Sequence, residues 1–149
     1  MATISEVMMR KQKAFSLIEL MITLVIVVTL AAIAMPLYDE YVRNSRRLDA
    51  AMMLQTGAQW MERYRAERNG TYADAVLPVD FSQSPAGGTA AYNIALTVPV
   101  AGNAFTLTAA PTGVMLNDEC GSLTIDNTGL RTADGGSTTA DILKKCWGR

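Results

Sequence analysis

The sequence contains no histidine, which removes the usual general base and the commonest metal ligand. No glycine-rich phosphate loop precedes a helix, and Gly87-Gly88 and Gly135-Gly136 read as ordinary turn formers. Only two cysteines occur, Cys120 and Cys146, and two thiolates without histidine do not complete a zinc shell. Catalysis is therefore not supported, and neither a metal nor another cofactor is expected. Cations are missing over a long stretch as well, with none between Lys13 and Arg43.

That cation-free stretch is almost wholly apolar. From Phe15 to Leu37 the only polar side chains are Ser16, Glu19, Thr23 and Thr29. At about 1.5 Å per residue a helix of this length crosses a bilayer core of roughly 30 Å. An ionised Glu19 in such a setting costs about 3 kcal/mol unless a cation meets it, and no cation lies in the next twenty residues of the same helix. Two rival readings exist. Ala32-Ile33-Ala34 offers a small-residue cut site of the secretory kind, but an apolar signal core should not contain Glu19. A permanent single-span anchor is the other.

The segment Lys13-Ala14-Phe15-Ser16-Leu17-Ile18-Glu19-Leu20-Met21 resembles the processing and N-terminal helix signature of type IV pilins and of the related type II secretion pseudopilins. A basic leader (Arg10, Lys11, Lys13) precedes a small residue and then Phe15, with Glu19 four residues on and Pro36 about one membrane thickness later. The family almost always carries Gly before the cut, where this chain has Ala14. The resemblance implies cleavage between Ala14 and Phe15 by a prepilin peptidase, N-methylation of Phe15, and pairing of Glu19 with the Phe15 amine of a neighbouring copy. The implied leader, residues 1–14, is long for the commoner pilins, and a start at Met8 or Met9 would shorten it. Pro36 should kink or locally melt the helix around Thr29 to Pro36; in a filament, the resemblance implies, this lets the chain stretch.

Three segments follow: leader 1–14, hydrophobic transmembrane or filament-core helix 15–38, and a head of residues 39–149. Without the leader the side chains comprise ten basic and thirteen acidic groups, a net −3, which is not the footprint of a general nucleic-acid binder. An even cysteine count in an exported head reads as one disulfide, Cys120 to Cys146. Its loop of about 27 residues corresponds to roughly 3–4 kcal/mol in the chain-entropy account.

Helical periodicity resumes after Pro36. Ala50, Met53, Leu54, Gly57, Met61 and Tyr64 form one stripe with Trp60 on its flank, while Asp49, Met52, Gln55, Gln59, Glu62 and Arg63 lie mostly opposite. The stripe is expected to pack on a sheet, and Arg43, Arg46, Arg47, Arg63, Arg65 and Arg68 read as solvated flanks with Asp39, Glu40, Glu62 and Glu67. Helix 39–69 should stop at Asn69-Gly70. Residues 70–90 read as a connecting loop, broken by Pro78, Pro85, Gly87 and Gly88. Alternation then gives strands through Tyr92–Val98, Phe105–Ala109 and Leu123–Ile125, a turn at Asp126-Asn127-Thr128-Gly129 and a short fourth strand from Leu130. The arm after Gly135 is expected to be irregular. The fold class is α+β, a long N-terminal helix packed on a small antiparallel sheet.

Phe105 to Ala109, Cys120 to Asp126 with Gly129, and Cys146-Trp147 resemble minor pilins of the PilE kind and their DNA-receptor relatives, the ComP-like pilins. The resemblance implies a structural subunit of a type IV pilus for adhesion, twitching motility or DNA uptake. Other pilin subunits, the prepilin peptidase and an inner-membrane assembly machinery would be its partners. The chain would sit in the bacterial inner membrane by one span before it joins an extracellular filament. A DNA-binding role would fall to Lys144, Lys145, Trp147 and Arg149, and a secretion pseudopilin is the third reading.

Overall fold

The computed structural model describes residues 15–148, which fall into two compact units that divide between Tyr38 and Asp39. The first unit is helical from Leu17 onward. Helix α1 spans Leu17–Glu67 and contains Pro36. Its hydroxyls do not compete with the helix, because Thr23 Oγ1 donates to the Leu20 carbonyl and Thr29 Oγ1 to those of Val25 and Ile26. Of the kink or local melting expected around Thr29 to Pro36, the melting does not occur: the helix continues through Pro36. A proline removes one donor and crowds one turn, and a long helix established on both sides can absorb that cost.

In the second unit the continuation of α1 packs on a five-stranded antiparallel meander. The strands are β1 (Gln83–Ser84), β2 (Tyr92–Thr97), β3 (Thr106–Pro111), β4 (Leu123–Asp126) and β5 (Arg131–Thr132), in spatial order β1-β2-β3-β4-β5. The register sets Ile94 opposite Ala109 and Leu107 opposite Ile125. Of the expected inward set, Tyr92, Ile94, Phe105, Leu107, Ala109, Leu123 and Ile125 are buried, while Leu96 and Val98 towards the end of the first strand are half-buried. Facing it on α1 are Ala50, Ala51, Leu54, Gly57 and Met61. Gly57 is what lets the layers approach, since a Cβ there would stand 3.1 Å from Leu107 Cδ1.

The helix stops where expected. Asn69 and Gly70 both take the left-handed conformation, and the Gly70 N–H closes back onto the Arg65 carbonyl. The Asp126 turn also forms, with Asp126 Oδ1 accepting from the Thr128 N–H and hydroxyl and from the Leu130 N–H. Burial pushes this carboxyl up, but the hydrogen bonds from Thr128, Leu130 and Gly129 outweigh it and hold it below the usual range.

Three elements differ from the sequence expectation. The loop 70–90 contains a short 3-10 turn, Val79–Phe81, and strand β1. Two-residue strands carry too few side chains to show alternation, and β1 exists because β2 offers it a free edge. The arm after Gly135 is not irregular throughout, because Ala140–Trp147 form helix α2, closed by left-handed Gly148. Arg47 is not a solvated flank: it is 2 % exposed.

Candidate functional site

The first functional group lies at the start of α1. Every side chain from Phe15 to Leu30 is exposed, and Phe15 is 70 % exposed. Glu19 stands in the first turn, where a carboxylate complements the partial positive charge of the helix start. Its side chain has no ion-pair partner among the described residues. Ala14 lies outside the described residues, so the expected cleavage bond is placed on one side only. An apolar cylinder of this length with a single carboxylate is unfit for water and requires lipid or other helices around it.

The second group was not anticipated. Arg47 lies one turn before Ala50, on the buried face of α1, and its guanidinium is gripped by three carboxylates. Nη2 and Nε donate to Asp118 at 2.6 and 3.0 Å, Nη1 to Glu40 at 3.0 Å, and Nη2 to Glu119 at 3.3 Å. The Asp118 side chain is fully buried. Its Oδ2 also accepts the Cys120 N–H at 3.2 Å, and Lys145 Nζ of α2 meets Glu119 at 2.6 Å. The hydrogen bonds that Arg47 donates to Asp118, with the charges of Asp118 and Glu40, raise its pKa despite burial, so the guanidinium stays charged. Burial also pushes the Tyr92 phenol up, with the Asp118 charge adding to it. Cys120 and Cys146 are joined as expected. The network thus ties α1, the segment before Cys120 and α2 to the same place. The signal in the sequence was positional: 47 precedes 50, 54, 57 and 61 on one helical stripe, and residue type hid it.

The third group is the tail proposed for nucleic acid. Lys144, Lys145 and Trp147 lie on α2 but are not presented together. Lys144 is exposed. Lys145 is engaged with Glu119. Trp147 is 4 % exposed, donates Nε1–H to the Thr132 carbonyl at 3.1 Å and carries the Arg131 guanidinium 5.3 Å from its ring centroid. A ring in that position is a core anchor and cannot receive a stacked base, which corrects the expectation for Trp147. Arg149 lies outside the described residues. No cluster of metal-ligating side chains occurs among the described residues.

Comparison with known proteins gives two family matches. The family described as the type IV minor pilin ComP, DNA uptake sequence receptor, matches residues 36–124, and the prokaryotic N-terminal methylation motif matches residues 9–35. Fimbrial protein Q of Moraxella bovis is 35 % identical over 101 residues, 65 % of this chain. The chain spans 64 % of that relative's length. Among solved structures, a type IV pilin from Shewanella oneidensis is 32 % identical, covering 72 % of this chain and 99 % of that one, with a TM-score of 0.48. The non-core minor pilin PilV of Neisseria meningitidis is 24 % identical, covering 68 % and 94 %, also with a TM-score of 0.48.

Proposed function

The chain belongs to the type IV minor pilin ComP family, and on that premise we propose that it is a structural pilus subunit rather than an enzyme. It is cut between Ala14 and Phe15 by a prepilin peptidase, methylated on the Phe15 amine, and held by one span in the inner membrane until an assembly machinery moves it into the filament. The observation that carries this reading is the exposed apolar cylinder from Phe15 to Leu37 with Glu19 as its only charge. Lipid covers such a surface first, and the helices of other subunits replace the lipid later. The Glu19 carboxylate is costly in lipid and finds a cation in the fibre at a neighbour's Phe15 amine. The N-terminal methylation motif matched over residues 9–35 supports the same processing. Intact-mass analysis of filament-associated protein tests it: a chain beginning at Phe15 with one added methyl is expected, and one beginning at Met35 would replace this reading with a secreted protein.

A second reading, DNA reception, is favoured by the description of the matched family. The tail residues support it poorly, with Trp147 buried and Lys145 paired, and the net charge opposes it. The full chain in detergent, titrated with short duplex DNA, should lose whatever binding it shows by about 0.15 M salt. Submicromolar binding at that salt, abolished by Lys144→Ala with Lys145→Ala, would make the chain a DNA receptor.

A further inference from the structure

An open groove of about 390 Å³ runs along the head between α1 and the segment that leads into β1. Asp49, Met52 and Met53 form its helix wall, and Asp80, Phe81 and Ser84 face them. Ser84 is 1 % exposed, yet its hydroxyl oxygen has no hydrogen-bond partner. An orphaned buried hydroxyl costs about 1–3 kcal/mol and calls for a partner. Neither Asp49 nor Asp80 is in an ion pair among the described residues. Met52 is 58 % exposed, an apolar side chain beside two carboxylates that nothing in the head covers.

These features describe one kind of occupant. A long apolar stem that ends in a planar, multiply donating cation would lie against Met52, Met53 and Phe81. It would bond both carboxylates, which is the chemistry of arginine. The chain carries a suitable donor. Arg43 is exposed and forms no ion pair or hydrogen bond among the described residues. It lies on the stripe that buries Arg47 and Ala50 further along, one turn short of the point where the head covers it. Counted at 3.6 residues per turn, Arg43 stands about 130° round the helix from the groove wall. Arg43 and the groove are therefore different faces of one head.

We infer that the groove accepts Arg43 of a second copy of this chain. Contacts between unlike faces are heterologous, and where their rotation does not close a ring they propagate as a helical filament. Two parallel copies offset by six to ten residues, about 9–15 Å along the helix, bring the two faces level. The inference rests on the filament reading and adds to it a specific contact between heads.

Arg43→Lys chain processed to begin at Phe15, prepared in natural-abundance and nitrogen-15 forms, is reconstituted as an equal mixture in phosphatidylethanolamine and phosphatidylglycerol vesicles and treated with a zero-length carbodiimide. Mixed-isotope peptides joining position 43 to Asp49 or Asp80 are expected. Adding Met52→Trp, which fills the groove and leaves both carboxylates in place, should lower their yield by roughly tenfold, the equivalent of 1.4 kcal/mol. Absence of position 43 from mixed-isotope pairs, or a yield indifferent to Met52→Trp, overturns the inference. The same digest reads peptides that join the Phe15 amine to Glu19. If those form between copies while position 43 does not, the docking fails and the filament reading stands.

Discussion

Glu19→Ala is expected to leave the chain in the membrane and remove it from filaments. In lipid the ionised carboxylate is a liability of about 3 kcal/mol, so its loss should not impair insertion. Opposite a neighbour's amine in a water-excluded fibre core the same group is worth keeping. Truncating one partner of such a pair costs roughly 2–5 kcal/mol, mostly because the remaining charge is left unmet. That corresponds to a loss of incorporation of about thirtyfold or more. Glu19→Gln separates charge from shape, and it should fail to the same degree because an amide does not neutralise the amine. The measurement is the ratio of subunit in sheared filaments to subunit in the membrane fraction. A wild-type ratio for either variant would show that Glu19 pairs with nothing in the fibre and that its place in the apolar run has another cause.

The two ends of the chain were unequally legible in the sequence. The apolar cylinder depends on composition alone, so Phe15 to Leu37 could be read without any tertiary knowledge. The central strands were legible because Leu107, Leu123 and Ile125 alternate with polar neighbours and one face is dry. Strand β1 was not, because two residues carry no period and its pairing depends on β2. Helix α2 was missed because the loops before it suggested irregular chain up to the disulfide, although Ile142, Leu143, Cys146 and Trp147 share a helical face and are all at least half-buried. At the candidate site the failure was of residue type. A basic side chain among other arginines reads as solvated, and a tryptophan beside two lysines reads as a stacking platform. Only the partner in three dimensions distinguishes them: Asp118, 71 positions away, for Arg47, and the Thr132 carbonyl for Trp147.

The ion network around Arg47 sets the second large expectation. Arg47→Ala should destabilise the head by roughly 3–5 kcal/mol, because it leaves the fully buried Asp118 carboxylate without its guanidinium. Domains of this size hold only about 5–15 kcal/mol in total, so a fall in melting temperature of well over 10 °C is expected. Lys145→Ala, by contrast, removes a pair whose members are both about half exposed, 53 % and 51 %, and should change stability by no more than about 1 kcal/mol. The decisive variant is Arg47→Met with Asp118→Leu. If the network holds the head together by its charges alone, this chain should be as unstable as Arg47→Ala. If the cost lies in stranding one charge, the double variant recovers most of the stability. We expect recovery of stability with loss of order: Asp118 also receives the Cys120 N–H, so an apolar core should hold the sheet but leave the segment before Cys120 less fixed. Thermal melts of the full chain in detergent measure the first effect, and amide exchange at Cys120 measures the second. A double variant that is both stable and fully protected at Cys120 would mean that the disulfide alone seats this region and that Arg47 contributes nothing to its position.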